Sequence, residues 1–156
     1  MTELELLDKA ATKRVLFLGE EIIDVYHYVK PLGRPTKDAI ISVELVRSES
    51  FEGGITAAAE HAKGMVANTT IAPGGTKYTK ERFVEESHFH KLFQCYRGTE
   101  KQTSAGLDGI GQYEVVAVID YGHGMATKEF INDLRQANFL AINVQTNSGN
   151  YGFNLH

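Results

Sequence analysis

Two short apolar runs dominate the hydrophobic pattern of the chain. Residues 14–18 read RVLFL and residues 115–119 read VVAVI. Neither alternates with polar positions, so each predicts a strand buried on both faces, as in a parallel sheet covered by helices. Beyond the second run, Thr127 is placed to cap a helix with Phe130, Ile131 and Leu134 on one face, and residues 139–144 predict a further strand. Strand, helix and strand over that length predict a parallel pair with a right-handed crossover.

The intervening pattern is of another kind. Residues 3–12 predict a short helix, with Leu4, Leu6, Leu7 and Ala10 near helical spacing. After Gly19, residues 20–30 begin as a turn and become a strand, residues 31–38 predict a loop, and residues 39–46 predict another strand. Residues 51–54 predict a turn whose paired glycines open an Ala-rich helix. Residues 67–72 predict a short strand, closed by Pro73-Gly74-Gly75. Residues 77–84 and 90–96 alternate aromatic with charged positions and predict strands with one covered and one wet face. Residues 98–112 predict a linker loop. The sum is a single α/β domain over residues 1–156. Its parallel sheet is flanked by helices and carries a small antiparallel β lid with strands at roughly 24–47 and 77–97. A lid with aromatic faces is buried by pairing with a second copy, so a homodimer is expected.

Composition narrows the function classes. A length of 156 residues allows a real core, and 42% hydrophobic with 23% charged residues is ordinary for a soluble globular protein. The net charge of −4 disfavours a broad nucleic-acid-binding face. No apolar run approaches the roughly 20 residues of a membrane helix, and the acidic N-terminus lacks the order of a signal peptide. The single cysteine, Cys95, excludes an internal disulfide and fits a reducing cytoplasm. Its surroundings, KLFQCYRG, predict a packed thiol rather than a nucleophile.

Candidate chemistry gathers after strand ends, where α/β folds bind ligands. Asp24 and Asp120 are carboxylates able to accept hydrogen bonds from sugar hydroxyls. Gly53 and Gly54 let a ligand approach the backbone at a helix start, which favours an anion such as phosphate. Asn143, Gln145, Asn147 and Asn150 offer donors and acceptors together. His123 is placed to touch a phosphate or to be an exposed turn residue. Plainer readings stand beside these: Asp120 as the cap of a turn before Gly122, the glycines as a bare helix-opening turn, the amides as satisfied turn structure. His88 and His90 share a strand face, but further ligands are lacking and no metal site is expected. Arg82 and Lys91 read as solvating charges of the lid.

These motifs, in order, resemble the ribokinase-like (PfkB) carbohydrate kinases. RVLFLGEEIIDVYHY resembles the opening of that family, and FEGGITAAAEHAKG its double-glycine helix start. VVAVIDYGHGMAT and ERFVEESHFHKLFQCY resemble the heptose 7-phosphate kinase branch, the kinase half of bifunctional ADP-heptose synthases. AINVQTNSGNYGFN resembles a loop of kinase-like relatives of that branch. The resemblance implies an α/β sandwich with a β lid that makes the dimer contact, and ATP-dependent phosphoryl transfer to a heptose-type sugar. It implies that Asp24 binds sugar hydroxyls, that Gly53 and Gly54 pack against the sugar and that Asp120 lies near the ligand. ATP and magnesium are implied by the resemblance alone. The family's Gly-Ala-Gly-Asp motif has no counterpart in a suitable place, no Asn follows the double glycine, and His123 stands where the branch has Lys. The expectation is therefore a shortened kinase-like chain, incomplete on its own, with a non-catalytic sugar-phosphate-binding or dimerisation module as the alternative.

Overall fold

The computed structural model describes residues 2–66, 68–102, 107 and 109–145. The chain opens with helix α1 (Glu3–Ala11), capped reciprocally by Thr2 and Glu5. Strand β1 (Arg14–Gly19) leads through Glu20 into β2 (Glu21–Gly33), and β3 (Ser42–Gly53) returns antiparallel to β2. Helix α2 (Gly54–Ala62) and strand β4 (Asn68–Pro73) follow, then β5 (Gly75–Glu85) and its antiparallel partner β6 (Lys91–Gln102). The last described elements are β7 (Val115–Asp120), α3 (Lys128–Asp133) and β8 (Leu140–Val144).

The strands form two sheets of four. One is wholly parallel, in the order β4-β1-β7-β8, with β1 in register between β4 and β7. The alternation of β1 feeds two cores, one on each face. Leu16 and Leu18 join Val116 and Val118 under Phe130 and Leu134 of the α3 region. Val15 and Phe17 turn the other way, against Ile55 and Ala59 of α2. This is the α/β class expected from two unbroken apolar runs: a strand with no polar alternation has both faces to cover.

The second sheet, ordered β3-β2-β5-β6, is the flap. It is broader than a small lid, with strands of 13, 12, 11 and 12 residues for β2, β3, β5 and β6. Its outer pairs are antiparallel but its central pair, β2 with β5, is parallel. The reason lies in the first sheet. β2 continues from β1 and β5 continues from β4, and β1 and β4 are themselves parallel neighbours, so the direction carries across.

Four local readings change. Residues 51–53 are the end of β3, not a turn, because the strand runs on to pair with Ile22 and Ile23. The segment 98–112 is less loop than expected: β6 extends to Gln102 and a 3-10 turn covers Ile110–Gln112. Cys95 is exposed rather than packed, because β6 is an edge strand of the flap. Arg82 is no solvating charge, since its guanidinium is paired in the site described next. Among the described residues no helix is long and apolar enough to cross a membrane.

Candidate functional site

The joint between the sheets is built on Glu20. It follows directly on the buried run of β1 and is 0% exposed. An ionisable group so placed needs partners, and it has three backbone donors. Tyr121 N–H donates to Oε2 at 2.6 Å, and His123 and Met125 N–H donate to Oε1 at 2.7 and 3.3 Å. Glu20 thereby moulds residues 121–125, the loop that leaves β7. Burial, with the nearby Asp120 charge adding to it, outweighs these donors and holds the Glu20 pKa above the ordinary carboxylate value.

Asp120 closes β7 and is 1% exposed. Its Oδ1 accepts from Gly122 N–H at 2.8 Å, so the turn-capping reading is correct for one oxygen. The other, Oδ2, is buried without a hydrogen-bond partner. His123 is half-buried, its ring 4.3 Å from that of Tyr78 on β5, and its Nδ1 also lacks a partner. Desolvation first, and the Lys80 charge second, lower the His123 pKa. The ring is therefore neutral at pH 7 and offers a phosphate a hydrogen bond rather than a charge.

The flap supplies the facing groups. Asp24 on β2 and Arg82 on β5 form a partly buried ion pair. β5 runs parallel to β2, with Asp24 opposite Lys80 and Tyr26 opposite Arg82 in register, so these side chains share one face of the flap. Lys80 lies 5.7 Å from the ring centres of both Tyr96 and Tyr121. Burial lowers its pKa, while the Asp24 charge raises it. Gly53 packs against Asp24: a Cβ there would stand 2.9 Å from the Asp24 Oδ2. Gly53 is also the N-cap of α2, without a side-chain cap.

Of the expected site residues, Asp24, Gly53, Gly54, Asp120 and His123 gather around this joint. Asn143 and Gln145 stand apart, at the carboxyl end of β8, the outer strand beyond β7. Gln145 is tied to the sheet by its backbone N–H on the Asp120 carbonyl at 2.9 Å. Asn147 and Asn150 lie outside the described residues. Sequence reasoning missed Glu20, Lys80 and Arg82. Glu20 carried a usable signal, a charge abutting a buried strand. The lysine and arginine gave none, since β2 and β5 pair across more than forty intervening residues. Among the described residues, no three of His, Cys, Asp and Glu converge to hold a metal ion. His88 is engaged instead by Glu85 at 3.0 Å.

His123 gives the site a pH dependence whose sign is fixed. Its folded pKa lies below the ordinary 6.5, so in the window just below pH 6.5 the unfolded chain binds more protons than the folded one. Stability therefore falls on acidification through that window. His123→Asn is expected to flatten the dependence of the thermal midpoint on pH between 7.5 and 5.5, measured by differential scanning calorimetry. An unchanged slope would show that the ring titrates freely.

No protein-family model matches the sequence, and no curated protein matches it. Solved structures do share its fold. The chain is similar to Sa239, with 13% identity and a TM-score of 0.50 over 85% of this chain and 54% of that one. It is also similar to the nucleoside kinase of Methanocaldococcus jannaschii, an archaeal member of the ribokinase family, at 9% identity and a TM-score of 0.45, covering 85% of this chain and 52% of that one. A third is Arabidopsis thaliana ribokinase, solved with ribose and ATP, at 10% identity and a TM-score of 0.45 over 85% and 54% of the two chains. The chain thus spans about half the length of these structures. At such identities the likeness is one of fold alone.

Proposed function

We propose that this chain binds a sugar or sugar phosphate between the carboxyl ends of its parallel strands and the flap, as the acceptor side of a ribokinase-like carbohydrate kinase. The observation that carries the reading is the Asp24–Arg82 pair, set against Gly53 with Lys80 beside it. A carboxylate whose charge is balanced by an arginine keeps lone pairs for two neighbouring hydroxyls. A desolvated ammonium beside it suits an anionic substituent on the same ligand. The heptose-type acceptor, the use of ATP with magnesium and pairing of two copies through the opposite, His27–Phe83–Phe93 face of the flap are part of this proposal and rest on the family resemblance. In-line phosphoryl transfer requires a positioned hydroxyl, and positioning is what these residues supply.

Isothermal titration tests the reading with ribose, heptose 7-phosphate and ATP–magnesium in turn, and ADP release by the chain tests turnover. Asp24→Ala is expected to weaken sugar-phosphate binding about tenfold or more, the loss of hydrogen bonds to a charged group. Lys80→Met should weaken the phosphorylated sugar and leave the neutral one nearly untouched. Sugar-phosphate affinity indifferent to Asp24→Ala would remove the site assignment.

A further inference from the structure

The face of the flap that carries Asp24 and Arg82 continues outward as an aromatic strip. Tyr26 and Tyr28 follow Asp24 at two-residue steps, their ring centres 6.4 Å apart and their planes within 23° of each other. A phenyl ring stands edge-on to each tyrosine: Phe51 to Tyr26 at 5.9 Å and 79°, Phe89 to Tyr28 at 6.3 Å and 87°. Both phenyl rings are open to solvent, Phe51 at 51% and Phe89 at 65% exposed. Phe51 is the cross-strand partner of Asp24, so the strip begins at the proposed sugar-binding carboxylate. Phe89 has a φ of 56°, the one non-glycine residue at positive φ among the described residues. A left-handed phenylalanine at a solvent-facing tip is unfavourable unless its position has a use.

The charges along the strip are matched. Arg82 pairs with Asp24, Arg47 lies 3.6 Å from the Tyr28 ring centre and pairs with Glu49 and Glu86, and the Tyr28 hydroxyl donates to Glu49 at 3.1 Å. Arg47 covers one face of Tyr28 and Arg82 lies 5.2 Å from the Tyr26 ring centre, so the aromatic surface left to a ligand is that of the exposed Phe51 and Phe89 rings with the tyrosine edges between them. Such a surface suits a neutral polyhydroxylated ligand, which lays the C–H face of its rings on aromatic carbon. From Asp24 to Tyr28 the strand advances four residues, roughly 13 Å. That is too long for one sugar ring or one nucleobase and suits two or three linked rings.

Resting on the sugar-binding reading above, we infer that the ligand is an oligosaccharide or extended glycoside. Its terminal ring is held at Asp24 and its following rings lie along Phe51, Tyr26, Tyr28 and Phe89. A glycan array carrying mono-, di- and trisaccharides of the common hexoses and pentoses, followed by isothermal titration of the strongest binder, tests this. Binding should rise at least tenfold from the monosaccharide to its trisaccharide. Phe51→Ala and Phe89→Ala should each remove most of that gain, Phe→Tyr at either position should restore it, and none should move the thermal midpoint by more than about 5 °C, since each ring makes one edge contact and is otherwise exposed. Affinity that depends on Asp24 but not on chain length would overturn the oligosaccharide inference and leave the sugar site standing. Adenosine binding tighter than any glycan would overturn it in favour of a nucleoside. A blank array with heptose 7-phosphate still bound would overturn the oligosaccharide inference alone, and binding of neither would overturn both readings together.

Discussion

Glu20→Ala is expected to lower the stability of the folded chain by about 3–5 kcal/mol, the largest loss from any single side chain at the site. Three backbone N–H groups of residues 121–125 would be left buried without an acceptor. Each such orphan costs about 1–3 kcal/mol, reduced where water enters the space vacated. For a chain of 156 residues, where each kcal/mol moves the midpoint by about 2–4 °C, the thermal midpoint should drop by about 10–15 °C. Glu20→Gln is the sharper variant. Both Glu20 oxygens accept from N–H groups, so an amide must turn its NH2 against one of them; an intermediate loss of about 1–3 kcal/mol follows. Burial raises the Glu20 pKa above the ordinary 4.5. The folded chain therefore binds the proton more readily than the unfolded one, and this group's contribution declines as pH rises through the window above 4.5. Urea unfolding and differential scanning calorimetry of the three proteins at pH 5 and pH 8 measure these losses and shifts. A Glu20→Ala midpoint within a degree or two of wild type would mean the 121–125 loop is held by something else.

Gly54→Ala should come close to that in magnitude, for a backbone reason. Gly54 has a φ of 61°, a conformation that costs an L-residue about 1–2 kcal/mol. A Cβ at this position would also collide with the Glu20 carbonyl oxygen and lie 3.1 Å from the Ile22 nitrogen. Neither is the movable end of a side chain. The same carbonyl accepts the Ile55 N–H at 3.1 Å, so relief of the clash would cost α2 its first anchor. A total of about 3–4 kcal/mol is expected. Gly53→Ala meets first the Asp24 carboxylate, a group that can rotate away, and the Ile22 carbonyl oxygen only at 3.3 Å. It should cost less stability and, on the proposed function, more ligand affinity. Calorimetry and titration on the two variants separate these outcomes; equal losses of stability would contradict the geometry.

The contrast between these neighbours shows where sequence reading reached and where it stopped. The double glycine is legible as a helix start, but the sequence ends β3 before it. Residues 44–52 are mostly polar, and on a flap strand exposed along much of its length polarity does not mark an end. The parallel sheet was legible because RVLFL and VVAVI have no polar alternation to explain away. Asp24 was legible as a carboxylate among apolar neighbours, yet its partner was not. Arg82 lies on β5, and only the parallel pairing of β2 with β5 brings the two together. Glu20 reads as part of a turn, although a charge directly after five buried residues requires donors from elsewhere in the chain. The donors are backbone groups about a hundred residues away, which no side-chain pattern announces.

The joint between the sheets has a mechanical consequence. The central flap strands are joined to the core by two short crossings, β1 to β2 at Glu20 and β4 to β5 at Gly74, and the Gly74 N–H donates to the Gly19 carbonyl at 2.9 Å. A third crossing lies beside them, since β3 passes at Gly53 directly into α2 and Gly54 bridges to Glu21, so the flap is clamped to the core at three adjacent points. Glu20 lies at that clamp, and its carboxylate holds the loop carrying His123. One residue therefore ties the flap crossing to the His123 loop, and a change at Glu20 reaches both at once.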